Sequence, residues 1–291
     1  MNAFNASLNP FDTTSLVSQI NRNITDKVDT MLVKVIDKAA QVSEETEGAY
    51  DITGAPLFDI WGFGTRKGVT RAATKEEVDS ILSFVGYQKL IIDRENMRIR
   101  KEDPRLYINP SSLSKGYVTD LVAGFLESKD ITDYMVEIGG EIVCRGKNPQ
   151  GECWRIGITR PDPDNSGNEG EILYRIPLCE RVGVATSGDY RNYKLLDDGT
   201  KVAHTIDVRT GYPAHQDILS ATVIAPTCME ADAWATAFMS MGLNRSLKVL
   251  QNHPELSVLF IYFDNEGRYT SYHRGIDLSD SSDIRSEQSA N

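Results

Sequence analysis

Apolar residues recur at helical spacing in several stretches of the chain. Val28, Met31, Leu32, Val35, Ile36 and Ala39 form one face of a helix within residues 12–48, with Thr25 or Asp26 as its cap. Thr74 and Glu77 bracket the start of a second helix running to about Phe84. Val118, Leu121, Val122, Phe125 and Leu126 share a face over Ser112–Ser128. A further helix opens at Thr227, where Glu230 completes the sequence form of a capping box, and another lies near Leu243–Asn252. The remaining pattern is one of short strands. They are expected at Lys89–Asp93, Met97–Arg100, Leu106–Ile108, Tyr134–Ile138, Glu141–Arg145, Trp154–Thr159 and Ile172–Pro177. Others are expected at Gly183–Thr186, Tyr193–Leu196, His204–Val208, Ser220–Ala225, Ser257–Phe263 and Arg268–Ser271.

Hairpin-like strand spacing, with helices grouped rather than alternating, predicts an α+β fold: a largely antiparallel or mixed sheet core with flanking helices. The polar loop Pro161–Gly170 reads as a connector and not as a domain linker, so one domain is expected over residues 1–275, followed by a polar tail over 276–291.

The chain has 291 residues, 40% of them hydrophobic and 25% charged, which suits a globular protein with a sizeable core. Its net charge of −11 removes any overall basic footprint for nucleic acid. An anionic small molecule would need a local pocket of Lys, Arg, helix N-termini or a cation. Cys144, Cys153, Cys179 and Cys228 show no C-x-x-C spacing and no disulfide framework, so buried free thiols are expected. No apolar run reaches the roughly 18 residues of a membrane span, and no signal-peptide pattern opens the chain.

The most informative run is Thr227–Ala237. Asp232 and Thr236 stand four residues apart, so their oxygens emerge on one helix face among alanines that let a ligand approach. Two hard oxygen donors beside an open surface suit Mg2+ held together with a phosphate, whereas an ordinary helix would carry one solvated Asp and a filler Thr. Ser111–Tyr117 leads into a helix with hydroxyls and Lys115, an arrangement for an anion or simply a capped start. At Val184–Tyr190 a strand empties into a small turn where Ser187 and Gly188 would let a ligand come close; a plain turn fits too. His204, Ile206 and Val208 share one strand face, placing His204 as a structural or a proton-moving histidine. Gly139-Gly140, within Glu137–Glu141, marks a tight hairpin or a bulge. There is no P-loop and no G-x-S-x-G elbow, and Gly62–Gly68 has the wrong spacing for a dinucleotide fingerprint.

In their order these segments resemble the FAD:protein FMN transferases, the flavin-transferase family also called ApbE. The resemblance is carried by Gly48-Ala-Tyr-Asp-Ile-Thr53, Trp61-Gly-Phe-Gly64, Ser112-Leu-Ser-Lys-Gly-Tyr117 with Asp120, and Val136-Glu-Ile-Gly-Gly-Glu141. It continues through Ala185-Thr-Ser-Gly-Asp-Tyr190, His204-Thr-Ile-Asp-Val-Arg-Thr-Gly211 and Ala231-Asp-Ala-Trp-Ala-Thr-Ala237. It implies a Mg2+-dependent enzyme that splits FAD at its diphosphate, moves FMN onto a threonine or serine hydroxyl of an acceptor flavoprotein of a membrane redox complex, and releases AMP. By the same resemblance Asp232 and Thr236, with the carbonyl of Ser112, hold Mg2+. Phe11, Ala49, Tyr50, Asp51, Asn109, Lys115 and Ile206 contact FAD, Ser187 and Gly188 border its pocket, and His204 transfers the proton. Tyr50, Trp61 and Phe63 are aromatics that either flank the ligand or fill core.

Asn109 stands where the family usually has Asp, and Val208 where it usually has Pro. The resemblance also implies a preceding strand of Gly-Thr-Thr-Tyr type, an export signal and a lipid-anchored place on the periplasmic side of the bacterial inner membrane; none of these is contained in the residues themselves. Two rival activities share the same pocket: an FAD pyrophosphatase that uses water in place of threonine, and a protein that binds FAD without turnover.

Overall fold

Alternation along the strands of the main sheet divides its side chains between two apolar layers. The structure, a computed structural model, describes residues 2–64, 68–161, 171–188, 193–197, 199, 201–203, 206–213, 217–264, 266 and 268–278. The helices are α1 (Asn2–Leu8), α2 (Leu16–Asn21), α3 (Thr30–Glu45), α4 (Ala55–Ile60), α5 (Lys75–Leu82), α6 (Ser111–Glu127), α7 (Cys228–Met241) and α8 (Leu243–Leu250). The first strands are β1 (Leu90–Asp93), β2 (Arg98–Lys101), β3 (Tyr134–Ile138), β4 (Glu141–Arg145), β5 (Trp154–Thr159), β6 (Ile172–Leu178) and β7 (Val182–Gly188). They are followed by β8 (Tyr193–Leu195), β9 (Lys201–Ala203), β10 (Ile206–Asp207), β11 (Tyr212–Pro213), β12 (Ile218–Ala225), β13 (Ser257–Phe263) and β14 (Tyr269–Arg274).

Six strands form the central sheet in the order β14-β13-β12-β7-β4-β3, each neighbour antiparallel. Ala185, Ala221, Val223, Val258 and Phe260 join the core beneath α3, α6 and α7. Val184, Ile224, Leu259 and Ile261 point the other way and meet Ile156, Ile158 and Ile176 of the β5–β6 hairpin. With both faces covered, every residue of β12 is buried. A separate cluster around Leu57, Trp61, Val78 and Ile206 holds α4 and α5 beside the sheet.

The capping box at Thr74 and Glu77 forms as expected. At α7 only half of it does: Thr227 Oγ1 accepts from Glu230 N at 3.2 Å, while the Glu230 carboxylate pairs with Lys38 at 3.0 Å. Asp120, from α6, binds the next two amides of that start instead, accepting from Cys228 N at 3.0 Å and Met229 N at 2.8 Å. The cap of α3 is Asp29, which accepts from Leu32 N at 2.8 Å, in place of Thr25 or Asp26. Leu106–Ile108 is no strand. The Asn21 side chain occupies both backbone groups of Ile108, at 2.8 and 2.9 Å, where a neighbouring strand would otherwise pair. On α6 the buried residues include Leu113, Tyr117, Val118 and Ala123, whereas Leu121 and Phe125 are exposed, because the helix turns its Gly116 side toward α7.

Two of the four expected free thiols are bonded: Cys153–Cys179 is a disulfide, and Cys144 and Cys228 remain free and buried. The β5–β6 register sets Trp154 opposite Leu178, which brings these two cysteines, 26 residues apart in sequence, to facing positions just outside the hairpin. Cross-linking a loop of that length stabilises a fold by about 3.5 kcal/mol in the chain-entropy model. The Cys153→Ser/Cys179→Ser variant is therefore expected to melt several degrees lower than the parent. Coincident melting curves would show that the hairpin does not depend on the bond.

Candidate active site

The first turns of α6 meet the side of α7, and glycine is what lets them approach. A Cβ on Gly116 would lie 2.2 Å from the Cys228 carbonyl oxygen. With the backbones this close, Gly116 N–H donates to Asp232 Oδ2 at 2.9 Å. The ordinary helical acceptor of that N–H is the Ser112 carbonyl, and the same carbonyl lies 3.5 Å from Thr236 Oγ1. Ser187 Oγ, at the end of β7, is 3.4 Å from Thr236 Oγ1. Asp232, Thr236, Ser112 and Ser187 thus converge from three elements.

Asp232 is 3% exposed, unlike the solvated Asp that an ordinary helix would carry. Burial, and then the nearby negative charge of Glu141, push its carboxyl up to about 8; the Gly116 N–H and the charge of Lys115 oppose this. Glu141 is 2% exposed and ion-paired with Lys115. Its Oε2 is buried with no hydrogen-bond partner among the described residues.

A cavity of about 480 Å3 opens beside this corner. Of the predicted residues, Phe11, Ala49, Tyr50, Asp51, Asn109, Ser112 and Thr236 line it. Tyr50 OH and Ser112 Oγ are hydrogen-bonded at 2.8 Å, tying the wall of the cavity to the start of α6. Asp51 also braces the local backbone, accepting from Thr53 N at 2.8 Å and Tyr87 N at 2.7 Å, and burial raises its carboxyl pKa. Asn109 Oδ1 accepts from Ser111 N at 3.1 Å and Ser111 Oγ at 2.7 Å, so it meets the first residue of α6 with an uncharged oxygen where an Asp would bring a charge.

Other predicted residues lie elsewhere. Ile206 is fully buried in the α4–α5 cluster and does not line the cavity. Gly188 lines a second cavity, beneath the β5–β6 hairpin on the far face of the sheet. Lys115 stands behind the corner against Glu141. His204 lies outside the described residues. Trp61 is core, its indole N–H donating to the Gly211 carbonyl at 2.8 Å, whereas Phe63 lines the cavity. The lining residues that sequence reasoning missed include Phe58, Asp59, Tyr107 and Ser240. Ser240 had a signal, since it continues the Asp232–Thr236 row by one more turn. The Gly139-Gly140 pair forms a tight β3–β4 hairpin, Ile138 facing Glu141, and delivers Glu141 to the corner.

No cluster of three or more His, Cys, Asp or Glu side chains is set up for a metal among the described residues. The donors present are a buried carboxylate, a hydroxyl and a main-chain carbonyl, with a second carboxylate oxygen left unsatisfied behind them. An all-oxygen set with few protein ligands fits Mg2+ completed by water and phosphate, and does not fit zinc.

Comparison with known proteins gives one answer. A model of the ApbE family matches residues 1–260. A Haemophilus influenzae protein named FAD:protein FMN transferase is 36% identical over 90% of this chain and 76% of its own length. The flavin transferase ApbE of Vibrio cholerae superposes with a TM-score of 0.81 at 33% identity, covering 94% of this chain and 85% of that one. The apo flavinyl transferase ApbE of Pseudomonas stutzeri superposes equally well, with a TM-score of 0.81 at 28% identity, over 94% of this chain and 83% of its own. In sequence and in fold alike, the chain belongs to the ApbE family.

Proposed function

We propose that this protein is a Mg2+-dependent FAD:protein FMN transferase. The observation that carries the reading is the placement of an aromatic-lined cavity against the Asp232–Thr236–Ser112 corner, in a chain whose curated relatives bear that name. A cavity of about 480 Å3 is of the size that holds drug-sized ligands. Phe11, Tyr50, Phe58 and Phe63 provide an apolar wall for the ring system, and the oxygen-rich end receives the diphosphate. Asp232, Thr236 and the Ser112 carbonyl would hold Mg2+, which supplies charge neutralisation at the diphosphate when bound. Lys115, paired with Glu141 behind the corner, adds a positive charge that favours the diphosphate on this side of the cavity.

In the reaction an acceptor threonine oxygen attacks the phosphorus on the FMN side and gives up its proton to His204. The bond to the AMP oxygen breaks, and AMP leaves with the electron pair. The disulfide supports an extracytoplasmic location, because such bonds persist in oxidising compartments. Alkylation in intact cells tests this, and trapping Cys153 and Cys179 as free thiols would refute it.

Incubation with FAD, Mg2+ and an acceptor flavoprotein domain tests the activity. Covalent flavin on the acceptor with stoichiometric AMP is expected. Free FMN with an unmodified acceptor would make the protein a pyrophosphatase, and no AMP at all would make it a binding protein. In single-turnover measurements His204→Ala should slow transfer from bound FAD by about a hundredfold or more. Loss of FAD affinity with unchanged turnover of bound FAD would remove it from the proton transfer.

A further inference from the structure

Glu141 opens β4 immediately after the Gly139-Gly140 turn. At 2% exposure it is as deeply buried as a core residue. One of its oxygens accepts from Lys115 Nζ; the other has no hydrogen-bond partner among the described residues. Lys115 is followed by Gly116, whose N–H reaches Asp232. Two buried carboxylates therefore flank a single turn of α6, Glu141 held by the Lys115 ammonium and Asp232 by the Gly116 N–H. Buried carboxylates normally have their oxygens satisfied, because an unpaired buried charge is costly. The Lys115 ammonium offsets one carboxylate, so once Asp232 gives up its proton to a cation the group carries one further negative charge, and a Glu141 oxygen is spare.

We propose that Glu141 is a positioning residue of the cation corner, holding Lys115 in place and supplying the second negative charge that tightens divalent-cation binding at Asp232. The assignment rests on the Mg2+ reading above. Because the buried carboxylates and the spare oxygen are in place without flavin, the effect belongs to the protein before FAD arrives.

Mn2+ titration of the protein without FAD, followed by electron paramagnetic resonance, tests it. Glu141→Gln keeps the shape and an acceptor for Lys115. It is expected to weaken Mn2+ binding by about tenfold or more, as loss of outer-shell partners does, without lowering the melting temperature in EDTA. Glu141→Asp, which retains the charge, should stay within a few-fold of the parent. Asp232→Asn, as the reference, should abolish binding. Unchanged Mn2+ affinity in Glu141→Gln, with binding lost in Asp232→Asn, would overturn the role of Glu141 alone. So would equal weakening by Gln and Asp. Persistent Mn2+ binding in Asp232→Asn would instead remove the cation corner, and this assignment with it.

Discussion

Replacing Asp232 with asparagine is expected to cost at least about a hundredfold in flavin transfer and yet to stabilise the metal-free fold at pH 8. The Asp232 carboxyl titrates at about 8 in the folded chain against an ordinary value of 3.8. Between those values the folded state holds a proton that the unfolded state has released. Its contribution to stability is therefore fully present below about pH 4 and is lost as pH rises through 8. Asparagine keeps an oxygen for the Gly116 N–H and has no proton to lose. Melting curves in EDTA should then decline for the wild type between pH 5 and 8 and decline less for the variant. The two should separate by several degrees at pH 8, since each kcal/mol moves the midpoint by about 2–4 °C in chains of 150–250 residues. Mg2+ should restore the wild type and leave the variant unchanged. Parallel pH profiles would show that the carboxylate is not the source of the loss.

The second large effect is expected at the seam between α6 and α7. Gly116→Ala would set a methyl group 2.2 Å from the Cys228 oxygen and 2.8 Å from Met229 Cα. Gly183→Ala would do the same from the sheet side, 2.2 Å from Cys228 N and 2.5 Å from Thr227 C. The obstacles are main-chain atoms of a capped helix start, which have no rotamer to change. Each variant should lose about 3 kcal/mol or more, read as a lower urea midpoint. Gly116→Ala should also abolish stabilisation by Mg2+, because it displaces the N–H that holds Asp232. A midpoint within a few tenths of a molar of the parent would mean that the seam yields more easily than its geometry implies.

Both effects arise where distant segments meet, and local sequence pattern carries less information there. Tyr134–Ile138, Glu141–Arg145, Trp154–Thr159 and Ser257–Phe263 form strands with the bounds that their pattern predicts, because turns and alternation act over a few residues. Leu106–Ile108 has the composition of a strand and lacks the conformation, since the competing partner, Asn21, comes from 87 residues away. The same distinction governs the site. Asp232 and Thr236 are legible as a pair four residues apart, but the burial of Asp232 depends on a glycine in another helix. Glu141 is legible only as the end of a hairpin, and its position behind Lys115 follows from how β4 docks on α6. The disulfide escapes the pattern for a related reason: only the β5–β6 register brings Cys153 opposite Cys179.

Asp120 has a mechanical consequence. Its carboxylate on α6 holds the first two amides of α7, and two glycines press the same turn from either side. Any tilt of one helix against the other would strip those amides of their acceptor and drive backbone into backbone. The corner consequently has no hinge of its own, and its donors keep their spacing whether or not a nucleotide is present. Accommodation of an incoming ligand falls to the opposite rim, where Phe11 stands 72% exposed on the loop between α1 and α2.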